Sequence, residues 1–397
     1  MTDLGNSKGA YDFDTVLDHR YDGSIRWQQP EERSDVIGMG TADLDYACAP
    51  CIKEALQPIW ENNIYNYKLK PDAYFDAVTR WFRTKYALPV QKEWMSNVPG
   101  TIAAVCIAIK KFSRKGDFVL MQTPYFDPLR RTIEGAGRRF LENPLVLKDH
   151  RYEIDFDDFE KKIIAYHPAI FLLINPHNPT GRVFTQAELE KMVDICAANG
   201  VRIISDEVHF LVTYNGHKHI PILAVSDKAR EISVQIFSFS KGFNMMNLPH
   251  GIVLIADEET QKEWLDYLMP YNFHYASNSY AIAAATAAVS AEGEDWLCEL
   301  TKYLKGNLDF FIAEVEKRHL PLKPLLPEAG YLLWIDCRET NIPPEELSQR
   351  FLNEAGIQLN NGLDHGEAGK GFVRMNFAVT RSCLEIALDR LTKMFMA

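Results

Sequence analysis

Short apolar runs alternating with stretches of helical period constrain this chain more than any other feature. The runs fall at 118–121, 169–174, 201–205, 234–237 and 251–255, with helical stretches near 127–136, 185–199 and 258–268. Strands alternating with helices predict an α/β fold whose large domain holds a mainly parallel, doubly wound sheet. Ligands of such sheets sit beyond the carboxyl ends of the strands, so the residues that follow each run are read together.

After 169–174 stands Asn175-Pro176-His177-Asn178-Pro179-Thr180-Gly181, a turn that presents the Asn178 amide. The same amide could simply cap its own turn. After 201–205 stands Asp206-Glu207-Val208-His209. An acid there can cap the next segment or face a heterocyclic nitrogen and hold its proton. Adjacent acids followed by a histidine also suggest a metal, but no further ligand cluster accompanies them. After 234–237 comes Ser238-Phe239-Ser240-Lys241-Gly242-Phe243-Asn244. Taken alone, Lys241 reads as an ordinary surface lysine; with the other two ends it becomes a candidate Schiff-base nucleophile. The gaps between the three are each long enough for a helix and a strand, which places an amide, a carboxylate and an amine on one rim.

Upstream, helical spacing predicts helices over 50–62 and 71–86 flanking a loop at 65–68. Val98-Pro99-Gly100-Thr101 then opens a buried helix that ends at Lys110-Lys111. A helix start of this kind offers free N–H groups to an anion, although many such starts bind nothing. From 278 a long helical stretch runs through 281–290 and on to 318. Strand-like runs at 331–335 and 371–377 and helices near 344–355 and from 382 follow. This reads as a smaller α+β domain. The division expected is 49–289 for the large domain, with 1–48 and 290–397 forming an arm and the small domain.

A chain of 397 residues exceeds the size at which one core keeps growing, which agrees with two domains. A net charge of -11 with no basic stripe excludes a nucleic-acid footprint. Seven scattered cysteines make no disulfide framework, and Cys48-Ala49-Pro50-Cys51 lacks the βαβ context of a redox motif. The first ten residues have no signal-peptide core and no apolar stretch is long enough to span a membrane, so a cytoplasmic protein without membrane partners is expected.

An amine, a carboxylate, an amide, a phosphate cup and an aromatic plate are together what pyridoxal phosphate requires. Asn-Pro-His-Asn-Pro-Thr-Gly, Ser-Asp-Glu-Val-His and Ser-Phe-Ser-Lys, in this order, make the chain resemble the fold-type I pyridoxal-phosphate enzymes, the aminotransferase class I/II superfamily. Five further segments point to the MalY/PatB branch, the cystathionine beta-lyase or cysteine C–S lyase group. They are Tyr11-Asp12-Phe13-Asp14, Ser24-Ile25-Arg26-Trp27, Thr41-Ala42-Asp43-Leu44-Asp45-Tyr46, Lys241-Gly242-Phe243-Asn244 and Gly371-Phe372-Val373-Arg374-Met375-Asn376. The resemblance covers nearly the whole chain.

The resemblance implies that Lys241 forms the Schiff base with pyridoxal 5'-phosphate and later removes the substrate Cα proton. It implies Asp206 at the pyridine nitrogen, Asn178 and His209 at the phenolic oxygen, and Phe126 stacked on the ring, with Tyr125 one residue away. Gly100, Thr101, Ile102 and Ser238 would hold the phosphate, joined by Tyr67 from the second subunit of a homodimer with shared sites. Arg374 would fork the carboxylate of a small amino-acid substrate, with Asn178 beside it. Position 249 is proline where class I aminotransferases often carry an arginine, which the lyase branch also usually lacks, so this favours the branch. The segment 245–251 departs from the branch's small-residue pattern, and Gly-Met-Gly-Thr stands where a tryptophan is common. The activity implied is β-cleavage of L-cystathionine or cysteine S-conjugates to a thiol, pyruvate and ammonia. An aminotransferase shares every step until C4′ is reprotonated, and a non-catalytic regulatory protein could use the same fold.

Overall fold

The computed structural model describes residues 11–18, 23–28, 33, 35–273 and 278–396. The stretch 1–10, read above for a signal peptide, lies outside the described residues. Among the described residues there are fourteen strands. In chain order they are β1 (Ile37–Gly38), β2 (Met95–Val98), β3 (Phe118–Thr123), β4 (Arg139–Lys148), β5 (Arg151–Ile154), β6 (Ile170–Ile174) and β7 (Arg202–Asp206). There follow β8 (Ser233–Phe237), β9 (Gly251–Leu254), β10 (Lys323–Leu325), β11 (Leu332–Asp336), β12 (Ile357–Gln358), β13 (Asn360–Asn361) and β14 (Phe372–Asn376).

The large sheet has the order β2-β9-β8-β7-β6-β3-β4-β5. β8, β7, β6, β3 and β4 run parallel. β9 runs against both β8 and β2, and β5 turns back on β4 as a hairpin. The central strands are fully buried, as expected of a sheet covered on both faces. Their side chains still alternate. Phe171 and Leu173 of β6 face the core shared with the C-terminal region, while Ile170, Leu172 and Ile174 face the helix Thr101–Phe112 on the other side.

The parallel centre expected from the alternation is present, but the run at 251–255 enters antiparallel. The hairpin of β4 and β5 was not anticipated. Its alternating exposed and buried residues make it a half-solvated sheet edge rather than a buried apolar run. The single long helix expected from 281 to 318 is two, Ser279–Ala288 and Ala291–Lys317. The break has a local cause, because the Ser290 hydroxyl accepts from the Gly293 N–H and starts the second helix.

The C-terminal sheet is antiparallel with the order β10-β11-β14-β13. The N-terminal segment is sewn to this part of the chain, since β1 pairs in parallel with β12. Beyond β1, Gly38–Tyr46 then crosses back over the rim of the large sheet. Among the described residues no helix is long and apolar enough to cross a membrane.

Candidate active site

Topology gathers the polar residues on one rim. β2, β3, β6, β7 and β8 all end on it, and β9 begins there opposite β2. The chain leaves β3 toward β4 on one side and later returns to place β6 on the other, so β3 and β6 flank the switch point of the sheet. Phe126 follows β3, Asn178 follows β6, Asp206 ends β7, and Lys241 sits in the helical turn Ser240–Phe243 just after β8. The three strand ends read from sequence are thus on neighbouring parallel strands.

The Lys241 amine donates to the Ala42 carbonyl of the crossing segment. Burial, reinforced by the Arg374 charge and opposed by Asp43, lowers its pKa to about 8. A fraction of this amine is therefore unprotonated near neutral pH, which an exposed lysine would not show.

Asp206 is buried, and among the described residues its carboxylate receives one hydrogen bond, from the Val208 N–H at 3.2 Å. Burial raises its carboxyl to about 6 even though Lys241 pulls the other way. Such an acid accepts a cation or a protonated nitrogen readily. Burial also lowers His209 to about 3, with Lys241 and Arg374 adding to the effect, so this imidazole is neutral at physiological pH. Its ring meets Tyr331 edge-on at 6.4 Å.

Arg374, in the middle of β14, is buried. Its guanidinium donates to Asn178 Oδ1 at 3.0 Å, to the Gly40 carbonyl at 3.1 Å and to Asn360 Oδ1 at 2.8 Å. All three acceptors are neutral, and the buried Nε has no partner among the described residues. Burial lowers its pKa to about 10. A buried arginine bonded to neutral oxygens is a site for an anion. The Asn178 amide, which could have capped its own turn, instead joins the large-sheet rim to β14.

Gly100 starts the helix Thr101–Phe112 with φ of +99°, a conformation that suits glycine, and the helix presents its N-terminus to the rim. Ile102 is 37% exposed there. The Ser238 hydroxyl is buried, donates to Ser240 Oγ at 3.1 Å and accepts from the Ser240 N–H. Phe126 is partly buried on the rim. Its neighbour Tyr125 turns into the core against Phe140; its N–H donates to the His365 carbonyl and its own carbonyl accepts from His365 Nδ1. Tyr67 stands apart, 84% exposed on the surface loop between the helices Pro50–Asn62 and Asp72–Tyr86.

Sequence reasoning missed the wall that closes the site. In Gly38–Tyr46, the carbonyls of Thr41 and Asp43 accept from Asn376 Nδ2 at 2.6 and 2.7 Å, and Asn244 Nδ2 holds the Tyr46 carbonyl. Buried Arg26 donates to the Gly38 carbonyl at 2.6 Å and pairs with Asp43 at 2.9 Å. Tyr331 Oη donates to the Lys241 carbonyl at 3.1 Å. Of the acid pair, Glu207 points away from Asp206 into the core. There it accepts from His219 Nε2 at 2.8 Å, Ser205 Oγ at 2.8 Å and the Ile222 N–H at 2.9 Å. Among the described residues no cluster of acids, histidines and cysteines is arranged to hold a metal, and Cys48 and Cys51 are free thiols.

Comparison with known proteins identifies the family. The family model for aminotransferase class I and II matches residues 34–391. The cystathionine beta-lyase PatB of Bacillus subtilis is 33% identical over 371 residues, covering 93% of this chain and 95% of PatB. Protein MalY of Escherichia coli is 31% identical over 381 residues, covering 94% and 96%. The structure of the pyridoxal-phosphate-bound C-S lyase from Staphylococcus hominis superimposes with a TM-score of 0.91. It is 27% identical and covers 99% of this chain and 100% of its own. The chain belongs to the aminotransferase class I and II family, as a fold-type I pyridoxal-phosphate enzyme of the PatB/MalY cystathionine beta-lyase branch.

Proposed function

We propose that this chain is a pyridoxal-phosphate-dependent carbon–sulfur β-lyase that converts L-cystathionine or cysteine S-conjugates to a thiol, pyruvate and ammonia. The observation that carries the reading is one rim holding a lysine lowered to about 8, a buried acid raised to about 6 and a buried arginine with neutral partners. The names of the relatives PatB and the C-S lyase support the choice of reaction.

The residues fit the cofactor. Asp206 lacks a cation that a protonated pyridine nitrogen would supply. Neutral His209 and the Asn178 amide can meet a phenolic oxygen, and Phe126 offers a ring face. The N–H groups at Gly100, Thr101 and Ile102, with Ser238, offer neutral donors to a phosphate. Tyr67 would reach the same phosphate from a second copy of the chain. The exposed apolar residues around it, Trp60, Ile64, Tyr65 and Leu69, support a dimer contact there.

Bound pyridoxal phosphate supplies an electron sink for the pair left at Cα when its proton departs. Arg374 holds the substrate carboxylate in place of one of its neutral acceptors and so turns the Cα–H bond toward the rim. Lys241 Nζ takes the Cα proton, a role that needs the neutral amine which burial provides. The Cβ–S bond then breaks with its electron pair on sulfur, and the thiolate leaves. Water hydrolyses the released enamine to pyruvate and ammonia. The Gly38–Tyr46 segment lies against the amine through the Ala42 carbonyl.

The test is to mix the protein, loaded with pyridoxal phosphate, with L-cystathionine and follow pyruvate and free thiol without any 2-oxo acid. Catalytic release of both is expected. A cofactor that converts to its amine form with neither product, and turns over once a 2-oxo acid is added, would replace the lyase with an aminotransferase.

A further inference from the structure

The phosphate-side residues Gly100, Thr101, Ile102 and Ser238 bring no charged side chain to an anion. Beside them stands His250, immediately before Gly251. The Gly251 backbone is pressed so closely on the helix start that a Cβ there would lie 2.9 Å from the Gly100 carbonyl carbon and oxygen. His250, Ser238 and Ser240 line one small cavity of about 10 Å³. The histidine therefore shares the wall that carries the cup hydroxyl.

A hydrogen-bond chain decides which nitrogen of His250 carries the proton. Asn97 Nδ2 donates to Tyr74 Oη at 2.7 Å and reaches the Gly251 carbonyl at 3.5 Å. Asn97 Nδ2, which can only donate, also lies 3.5 Å from His250 Nε2, so the phenol gives its own proton to that nitrogen at 2.9 Å. Nε2 is then the acceptor, and a neutral ring must hold its proton on Nδ1. Burial, with the Lys70 charge adding to it, lowers the imidazole to about 4 and keeps it neutral. Burial also keeps the Tyr74 phenol protonated, well above its ordinary value. With Nε2 engaged, Nδ1–H is the donor left on a ring that lines the same cavity as Ser238.

We propose that His250 adds a neutral N–H donor to the phosphate end of the cofactor site, its tautomer locked by the Asn97–Tyr74 chain. The inference rests on the cofactor reading above and concerns the phosphate alone. The test is an absorbance titration of cofactor-free protein with pyridoxal phosphate and, separately, with pyridoxal, which keeps the aldehyde and lacks the phosphate. His250→Ala is expected to weaken pyridoxal phosphate by about tenfold, as for a hydrogen bond to a charged group, and to leave pyridoxal unchanged. His250→Gln, which can accept from Tyr74 and still donate, is expected to restore most of the difference, and Tyr74→Phe to show a smaller, equally phosphate-selective loss. An equal loss for both aldehydes would reduce His250 to packing, and no loss for either would remove it from the site; both overturn the proposal. Wild-type protein that forms no chromophore with either aldehyde would overturn the cofactor reading itself, and this inference with it.

Discussion

Two sets of buried polar groups, which part company at the adjacent acids Asp206 and Glu207, are treated in opposite ways. Behind the rim, Glu207 is saturated by His219, Ser205 and the Ile222 N–H. Glu328, at the junction with the C-terminal part, is held by Arg151 at 2.7 Å and the Val183 N–H at 2.7 Å. At the site, buried Asp206 and Arg374 and partly buried Lys241 meet single or neutral partners, and their pKa values move accordingly. A buried charge with full partners is part of the scaffold. One left short of partners is placed to receive them from a ligand.

That contrast can be broken at its strongest point first. Lys241→Ala is expected to lower the rate of thiol release by about four orders of magnitude, the scale of a lost base and covalent anchor, while leaving the fold intact. A circular-dichroism melt alongside the assay separates loss of chemistry from loss of structure. The opposite signature is expected for Glu207→Ala, which orphans His219 and the Ile222 N–H. It should cost about 4 kcal/mol in urea unfolding, as when a buried pair loses one partner.

Asp206→Asn sharpens the comparison through pH. The folded value of Asp206, about 6, lies above its ordinary 3.8, so the folded chain binds this proton more readily than the unfolded one. The ionised acid therefore opposes folding, an effect absent below pH 3.8 and complete above about 6. Cofactor-free Asp206→Asn should be more stable than wild type by about 3 kcal/mol at pH 8, with the gap closing toward pH 4. No gap at pH 8 would mean that Asp206 is as well satisfied as Glu207. The smallest effect is assigned to Arg374→Lys, which keeps the charge and loses the planar fork. A rise in KM of about tenfold with kcat little changed is expected from steady-state kinetics.

The parallel centre and its rim were legible because each strand is a short continuous apolar run that ends in polar residues. Asn178, Asp206 and Lys241 follow such runs directly, and local order alone brings them onto neighbouring strands. The wall over the site was not legible. Arg374 meets Gly40, and Asn376 meets Thr41 and Asp43, across more than three hundred residues of chain, with no local pattern in either segment to announce the contact. The split roles of Asp206 and Glu207 were hidden for a simpler reason. Successive side chains at a strand end point to opposite faces, so adjacent acids of the same chemistry part company. β13, two residues long, is too short to leave a period at all. The helix break at Ser290 could have been read, since a serine followed by the acids Glu292 and Glu294 suits an N-cap and first turn.

The most direct test of the account is to load the protein with pyridoxal phosphate, reduce it with borohydride and locate the modified lysine by peptide mass spectrometry. The account predicts stoichiometric modification of Lys241 and no other lysine. Modification elsewhere, or none with the visible chromophore absent, would contradict it.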